Sequence, residues 1–182
     1  MIQPTLIIAP RGIDVPIQDF QKYLIANLSE IESCFGRCYK NETAEGFIPE
    51  VYIGKKEYYD IMSDDSIISH LFFDVEDSII TSNDSQKYEI EKTANVRLIV
   101  FANLEKIYSI SNRADEDLIA DIEIAIINFS SKYGKWKYNK CLKKISNVFS
   151  NYSYKLNDNL NDMQPFFVCA FEFELNYSQE KC

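Results

Sequence analysis

The chain is poor in the residues that commonly break secondary structure, bind metals or join domains. Its 182 residues include five glycines, five prolines, one histidine and one tryptophan. This scarcity argues against a protein rich in linkers or repeats, and no internal repeat of fixed period is present. Hydrophobic residues make up 46% of the chain and aromatic residues 14%, which is sufficient for one well-filled core. We predict a single α+β domain over residues 1–182, with residues 32–90 as a hairpin insertion or extension.

Long apolar runs and regularly spaced cysteines are also missing. No run reaches the ~20 apolar residues of a membrane span, and the first residues lack the basic region of a secretory signal. The five cysteines, at positions 34, 38, 141, 169 and 182, have no regular spacing. Cys34 and Cys38 are expected to share a face, but scattered cysteines and one histidine do not supply a zinc site. We predict a cytosolic chain with reduced thiols, no disulfide, no metal, no cofactor and no membrane contact.

Positive charge is scarce, since 19 lysines and arginines face 28 acidic residues, for a net charge of −9. Proteins that bind nucleic acid normally neutralise phosphates with clustered Lys and Arg. The one basic cluster is "KYGKWKYNKCLKK", residues 132–144. Basic residues between aromatic ones can suit single strands, but such a run is more commonly a solvated helix or loop face. We predict that solvated face, with Trp136 buried beneath it.

Two segments have the period of amphipathic helices. The first is predicted to begin at a cap, Asp14, with Pro16 in its first turn, where a missing N–H is harmless. The second is predicted to run from a cap at Asn112, through an acidic first turn, to Gly134 just past its end. A weaker helical pattern covers residues 141–152. The predicted buried stripes are Ile17, Phe20, Leu24, Leu28 and Ile31 in the first helix, and Leu118, Ile119, Ile122, Ile126 and Phe129 in the second.

Between these helices the pattern becomes that of β-strands. Six short segments are β-rich and separated by turn formers, with Gly54 predicted at the bend of a tight hairpin. A further short strand is predicted at residues 5–9. Residues 96–104 are apolar on both faces, which predicts a central strand beside the final one. The whole order predicts an α+β fold, a mainly antiparallel sheet against two to three helices. The six segments are "SCFGRCYK", "FIPEVYIG", "KEYYDIM", "SHLFFDVED", "QKYEIEK" and "NVRLIVFANL".

The final strand, within "MQPFFVCAFEFELNYS", changes character along its length. One side is apolar throughout, since strand side chains alternate between faces. The other side changes from apolar residues to Glu172 and Glu174. This change indicates a strand that starts under cover and then emerges, either to meet water on an ordinary wet face or to meet another subunit. The apolar side consists of Phe167, Cys169, Phe171, Phe173 and Leu175.

Acidic residues crowd the stretch "SDDSIISHLFFDVED", which also holds the single histidine, His70. Clustered carboxylates can bind a hard cation or divide acid and base roles. Strand alternation nevertheless predicts that His70, Asp74 and Glu76 face water, while Leu71, Phe73 and Val75 face the core. No phosphate loop, dinucleotide fingerprint or nucleophile elbow is present. We predict no catalytic residue and no enzyme; the acidic residues are Asp64, Asp65, Asp74, Glu76 and Asp77.

The layout of the chain resembles the small tail-completion and tail-terminator proteins of tailed bacteriophages. Three stretches carry the resemblance: "PEVYIGKKEYYDIMSDDS", then "ANVRLIVFANLEKIY" with the acidic-started helix after it, and "NLNDMQPFFVCAFEFELNY". The resemblance implies an α+β subunit of a homo-oligomeric ring, a hexamer or higher, in the virion. Such a ring is assembled in the host cytoplasm, contacts neighbouring tail or neck proteins, and lets DNA pass without binding it specifically. The interface expected on this basis includes Phe171, Glu172, Phe173 and Glu174.

Two other interpretations of the sequence remain open. One is a cytosolic metal-dependent enzyme that uses the carboxylates from Asp64 to Asp77. The other is a monomeric regulator that binds a protein partner through its acidic surface. Oligomeric state separates the ring subunit from both.

Overall fold

A computed structural model describes residues 6–44, 46–54, 57–61, 68–84, 89–108, 114–152 and 165–180. Strand outweighs helix in these residues, and the fold is α+β, as predicted. The helices are α1 (Asp14–Asn27), α2 (Leu104–Tyr108), α3 (Asp115–Asn128) and α4 (Ile145–Val148). The strands are β1 (Ser33–Thr43), β2 (Gly46–Gly54), β3 (Glu57–Asp60), β4 (Ser69–Val75), β5 (Ile79–Asp84), β6 (Glu89–Asn103), β7 (Lys135–Leu142) and β8 (Phe166–Glu180).

The strands form one mixed sheet in the order β3-β2-β1-β4-β6-β8-β7, with β5 paired to β6 beside β4. Among the described strands, only β1 and β4 run parallel, and the other pairs are antiparallel. The long strands β6 and β8 pair from Glu89 opposite Glu180 to Asn103 opposite Phe166. The prediction that residues 96–104 and 166–175 are neighbours in one mainly antiparallel sheet is therefore confirmed.

One face of the sheet packs against α1 and α3 and forms what we call the first core. Phe20 and Leu24 of α1 and Ile122 of α3 are fully buried there, against Phe171 and Phe173 of β8. Burial of each such side chain contributes roughly 1.5–3 kcal/mol. The predicted helical stripes therefore hold within the helices. Leu28 and Ile31 lie beyond α1, which ends at Asn27, and Phe129 follows α3, which ends at Asn128; Ile31 and Phe129 are only partly buried.

The opposite face is also covered, and we call the interior there the second core. Residues 148–152 lie over it, with Val148, Phe149 and Tyr152 buried against Phe72, Ile99, Phe101, Val168 and Ala170. Val51 of β2 and Ile61 also belong to this core. Because both faces are buried in the second half of β6 and in the first half of β8, both must be apolar there, which accounts for the pattern seen in the sequence.

Both helix caps predicted from sequence are wrong. The residue before the first turn of α1 is Ile13, and Asp14 is instead the first helical residue, with its carboxylate 2.9 Å from Arg37 Nε. Helix α3 begins after Ala114, so the predicted cap Asn112, which lies outside the described residues, is not at the cap position. The acidic first turn of α3 and Pro16 in the first turn of α1 are confirmed.

The segment after α3 differs most from prediction. Residues 135–142 form β7, an edge strand, rather than a solvated helix or loop, and the predicted helix over 141–152 shrinks to α4. The alternation of exposed lysines with partly buried Trp136 and Tyr138 is a strand pattern with a period of two. Exposed lysines on an edge strand discourage pairing with other sheets.

The middle of the chain follows prediction with three differences. Gly54 has a φ of 100° at the predicted β2–β3 hairpin. Strand β5 was not predicted, the last two predicted segments of the middle merge into β6, and residues 6–9 form no strand. Strands from residues 32–90 share the sheet with β6, and the prediction of a single domain stays a prediction. None of the helices among the described residues has the length and apolar character needed to cross a membrane.

Candidate functional site

The interface predicted on β8 divides between the two faces of the sheet. Phe171 and Phe173 are fully buried in the first core, so a second subunit cannot reach them in this conformation. Glu172 and Glu174 point to the other face and are partly exposed. Glu172 pairs with Arg97 Nε at 3.0 Å and with Lys140 Nζ at 3.2 Å. Of the predicted set, Glu174 is therefore the residue with the weakest ties to its own chain.

The predicted exposure of His70 and Asp74 is wrong, because the second core covers that face of β4. Both side chains are buried, with 1% and 3% exposure. His70 Nε2 lies 2.9 Å from the backbone oxygen of Ile61, which ties the end of the β3 segment to β4. Asp77 is exposed, and Asp64 and Asp65 lie outside the described residues.

Asp74 is the centre of a buried polar network. Tyr152 Oη donates to Asp74 Oδ1 at 2.9 Å, and Asn151 Nδ2 donates to Oδ2 at 2.9 Å. Cys38 Sγ lies 3.1 Å from Tyr152 Oη. Burial, together with the neighbouring Cys38 and Asp74, raises the pKa of Tyr152, so the phenol remains a neutral donor. Both side-chain oxygens of Asp74 thus accept hydrogen bonds from protein donors, as buried polar atoms require.

Arg97 extends this network to the surface of the same face. Besides Glu172, it contacts Glu76 at 3.7 Å and donates from Nη1 to Ser150 Oγ at 2.7 Å. The arrangement clamps residues 150–152 onto the sheet. Among the described residues, no group of three or more His, Cys, Asp or Glu side chains could hold a metal ion. Neither Arg97 nor Tyr152 was predicted from the sequence. Arg97 carries the one charge in the segment "NVRLIVFANL", a signal that could have identified it, whereas Tyr152 gives no such signal.

The four cysteines that the structure describes do not gather into one site. Cys34 lies in the first core and Cys38 in the second, so the expectation that they share a face is wrong. The pairing of β1 with β4 shifts register between Cys34 and Arg37, and this irregularity reverses the alternation. Burial raises the pKa of both thiols. Cys141 of β7 is half-buried and accepts a hydrogen bond from Cys169 of β8, which lowers the pKa of Cys141.

The outer strands at one end of the sheet carry an exposed aromatic surface. Tyr39, Tyr52 and Tyr58 lie on β1, β2 and β3, and we call them the tyrosine surface. The ring of Tyr58 meets those of Tyr39 and Tyr52 edge to face, with centroids 5.6 and 5.4 Å apart. Tyr58 is 52% exposed, and the guanidinium of Arg37 lies 5.0 Å from the Tyr39 ring. Rings that support one another while exposed form a preorganised surface for a partner.

Exposed isoleucines form two further apolar places on the surface. Ile79 and Ile80 stand on β5, which pairs with β6 alone among the described strands, and Ile79 is 71% exposed. Ile124 and Ile127 lie on the outer side of α3.

Comparison with protein-family models, with curated proteins and with solved structures gives no match for this chain.

Proposed function

We propose that this chain is a structural subunit that assembles into a ring at the tail or neck of a tailed bacteriophage. The observation that carries the proposal is the tyrosine surface, which stands on the outermost strands at one end of the sheet. Aromatic residues are enriched in the cores of protein interfaces. Tyrosine also supplies a large contact area at a low cost in side-chain entropy.

The two kinds of sheet edge support contacts between unlike surfaces. Strand β7 presents Lys135, Lys137 and Lys140, which discourage pairing. Strand β5 presents the exposed Ile79 and Ile80, and it contains no lysine. A subunit whose tyrosine surface meets a different apolar surface on the next copy makes a head-to-tail contact. Such contacts generate a closed ring when the rotation between subunits closes.

The charge of the chain suits a conduit for DNA. With a net charge of −9, a ring of copies would repel phosphates and let the genome slide past. Proteins of neighbouring tail or neck layers are the expected partners, and the assembled virion is the expected location. Both oxygens of Asp74 already accept hydrogen bonds, so the described residues offer no observation in favour of the metal-dependent enzyme.

Light scattering and negative-stain microscopy on the purified chain test this function. We expect particles of several copies with ring-shaped projections. Tyr58→Ser should weaken assembly by at least about tenfold, which corresponds to about 1.4 kcal/mol. Tyr133→Ser is the matched control, because Tyr133 is also exposed but lies after α3. A monomer at every concentration would contradict the ring and favour the acidic regulator.

A further inference from the structure

Strand β7, at one end of the sheet, presents two lysines on one face. Lys135 and Lys137 are exposed, and no ion pair or hydrogen bond joins either side chain to another of the described residues. Lys140, farther along the same strand, is instead held by Glu172. Glu174 of β8 lies directly opposite Lys137 in the strand pairing. We call Lys135, Lys137 and Glu174 the lysine surface.

The lysine surface and the tyrosine surface lie at opposite ends of the sheet and on opposite faces. The lysines alternate with Trp136, which packs against the first core, so they point to the side of the second core. Tyr52 follows Val51, which is buried in the second core, so the tyrosine surface points to the side of the first core. Two copies can therefore overlap at these surfaces without either being inverted, which is the arrangement of a head-to-tail contact.

Charged groups surround the tyrosine surface on its own face. In the strand pairings, Glu50 lies between Tyr39 of β1 and Asp60 of β3, and Asp60 is exposed. The guanidinium of Arg37 lies 5.0 Å from the centroid of the Tyr39 ring. Two carboxylates and a guanidinium on this surface are therefore the counterparts of two ammonium groups and a carboxylate on the lysine surface. Such complementary charges select a partner and fix its position.

The side chains of the two surfaces also suit contact with one another. The apolar stem of a lysine can cover an exposed ring such as that of Tyr58, while its ammonium group meets the ring face or a carboxylate. The contact uses the face of β7 rather than its hydrogen-bonding edge, so the lysines still discourage pairing with other strands. Because every copy carries a net charge of −9, copies repel one another at long range, and pairs of opposite charge at the contact offset this repulsion.

We propose that the tyrosine surface of one copy binds the lysine surface of the next copy in the ring. The two lysines pair with Glu50 and Asp60 across the contact, and Glu174 meets Arg37. This inference rests on the proposed function, because it names the two surfaces through which neighbouring subunits join.

Carbodiimide cross-linking of the original chain tests the contact directly. The reagent joins a lysine amine to a touching carboxylate as an amide and takes up the water that is released. Unlabelled and isotope-labelled chains are mixed while dilute and then concentrated, so that peptides joining two copies are recognised by mass. We expect such peptides to link a lysine of the lysine surface in one copy to Glu50 or Asp60 of another. An assembly that lacks these links would overturn the inference and leave the ring proposal standing, whereas a chain that stays monomeric at every concentration would overturn both.

Charge reversal provides a second test. Lys135→Glu with Lys137→Glu reverses one surface, and Glu50→Lys with Asp60→Lys reverses the other. Each double variant alone should assemble at least about tenfold more weakly than the original chain. An equimolar mixture should recover assembly, because the two reversed surfaces then meet each other and the two unaltered surfaces do the same. Light scattering follows all three samples, and a mixture of folded variants that assembles no better than its components would overturn the inference.

The matched control is Lys22→Glu with Lys144→Glu, which changes the net charge equally at exposed residues outside both surfaces. This variant should assemble as the original chain does. If it assembled as weakly as the chain with the reversed lysine surface, overall charge would be responsible and the inference would be wrong. Urea unfolding confirms that each variant is folded before its assembly is scored, and the cross-linking of the original chain decides the question if one is not.

Discussion

At the scale of single residues, the Asp74 network does structural work that the sequence pattern hid. Asp74 sits beneath residues 148–152, a segment far away along the chain. Local alternation assigns it to a wet face, because nothing near it in sequence reports what will cover it. Its hydrogen bonds with Tyr152 and Asn151 fix the position of the covering segment on the sheet, in addition to the apolar contacts that hold it there.

The first prediction concerns the phenol in that network. Tyr152→Phe removes one donor to the buried carboxylate and keeps the ring, so we expect the free energy of unfolding to fall by about 1–3 kcal/mol. The midpoint of urea unfolding measures this. Tyr133→Phe is the control, since Tyr133 is 45% exposed. An unchanged midpoint in the Tyr152→Phe variant would mean that Asp74 does not depend on this hydrogen bond.

The second prediction concerns the buried thiols. Burial raises the pKa of Cys34, Cys38 and Cys169 in the folded chain. Above about pH 8.5 the unfolded chain releases these protons while the folded chain keeps them. The unfolded state then binds fewer protons, so stability falls as pH rises, by up to about 1.4 kcal/mol per pH unit for each thiol.

Urea unfolding at about pH 7.5 and about pH 9.5 brackets the range in which the unfolded thiols ionise. The loss of stability between the two should be smaller in a Cys34→Ala variant. That comparison holds even if the variant is less stable at both pH values, because only the difference matters. If the Cys34→Ala variant lost as much stability between the two pH values as the original chain, the buried Cys34 thiol would not contribute to the pH dependence.

At the scale of elements, the sequence predicted those whose pattern matched their final surroundings. The neighbouring strands β6 and β8 were predictable because both faces of each are apolar where both are covered. The segment "KWKYNK" was predicted as a solvated helix or loop because of its lysines, although its side chains alternate with the period of two that is typical of a strand. Cys34 and Cys38 lie on opposite faces because the pairing of β1 with β4 shifts register between them, and the residues of β1 do not predict this shift. Likewise, only the fold shows which of the twelve tyrosines are exposed together.

Gly134 also has a role that only the fold shows, and it yields the third prediction. A Cβ on Gly134 would lie 2.9 Å from Leu175 Cδ1 and 3.1 Å from the backbone oxygen of Asn176. Gly134→Ala should therefore cost about 1–3 kcal/mol of stability. At Gly36 the nearest atom is Gln21 Oε1 at 3.4 Å, an ordinary contact distance, so Gly36→Ala is the control and should cost less stability. Thermal unfolding compares the melting temperatures of the Gly134→Ala and Gly36→Ala variants. Equal melting temperatures would rule out the close approach at Gly134.

At the scale of the whole molecule, the fourth prediction concerns assembly. Glu174 is partly exposed and free of the Arg97 and Lys140 pairs that hold Glu172. Glu174→Lys should impair ring formation and, because it sets a lysine opposite Lys137 of β7, lower stability by no more than about 1 kcal/mol. Light scattering gives the first quantity and urea unfolding the second.

Two companion variants make that result specific. Glu172→Lys should lower stability, because it places a third positive charge beside Arg97 and Lys140. Asp77→Lys, at an exposed residue between β4 and β5, changes the net charge equally and should leave assembly intact. If Asp77→Lys impaired assembly as strongly as Glu174→Lys, overall charge rather than a contact at Glu174 would be responsible.

The position of β8 has a consequence for how the chain folds as it is synthesised. This strand follows every other described strand along the chain, yet it lies between β6 and β7 and lines both cores. At about 5–20 residues per second, the ribosome leaves β6 without this partner for several seconds. During that interval one apolar margin of β6 is open to chaperones and to other nascent chains. The yield of folded protein should therefore depend on whether chaperones bind the nascent chain between the synthesis of β6 and the synthesis of β8.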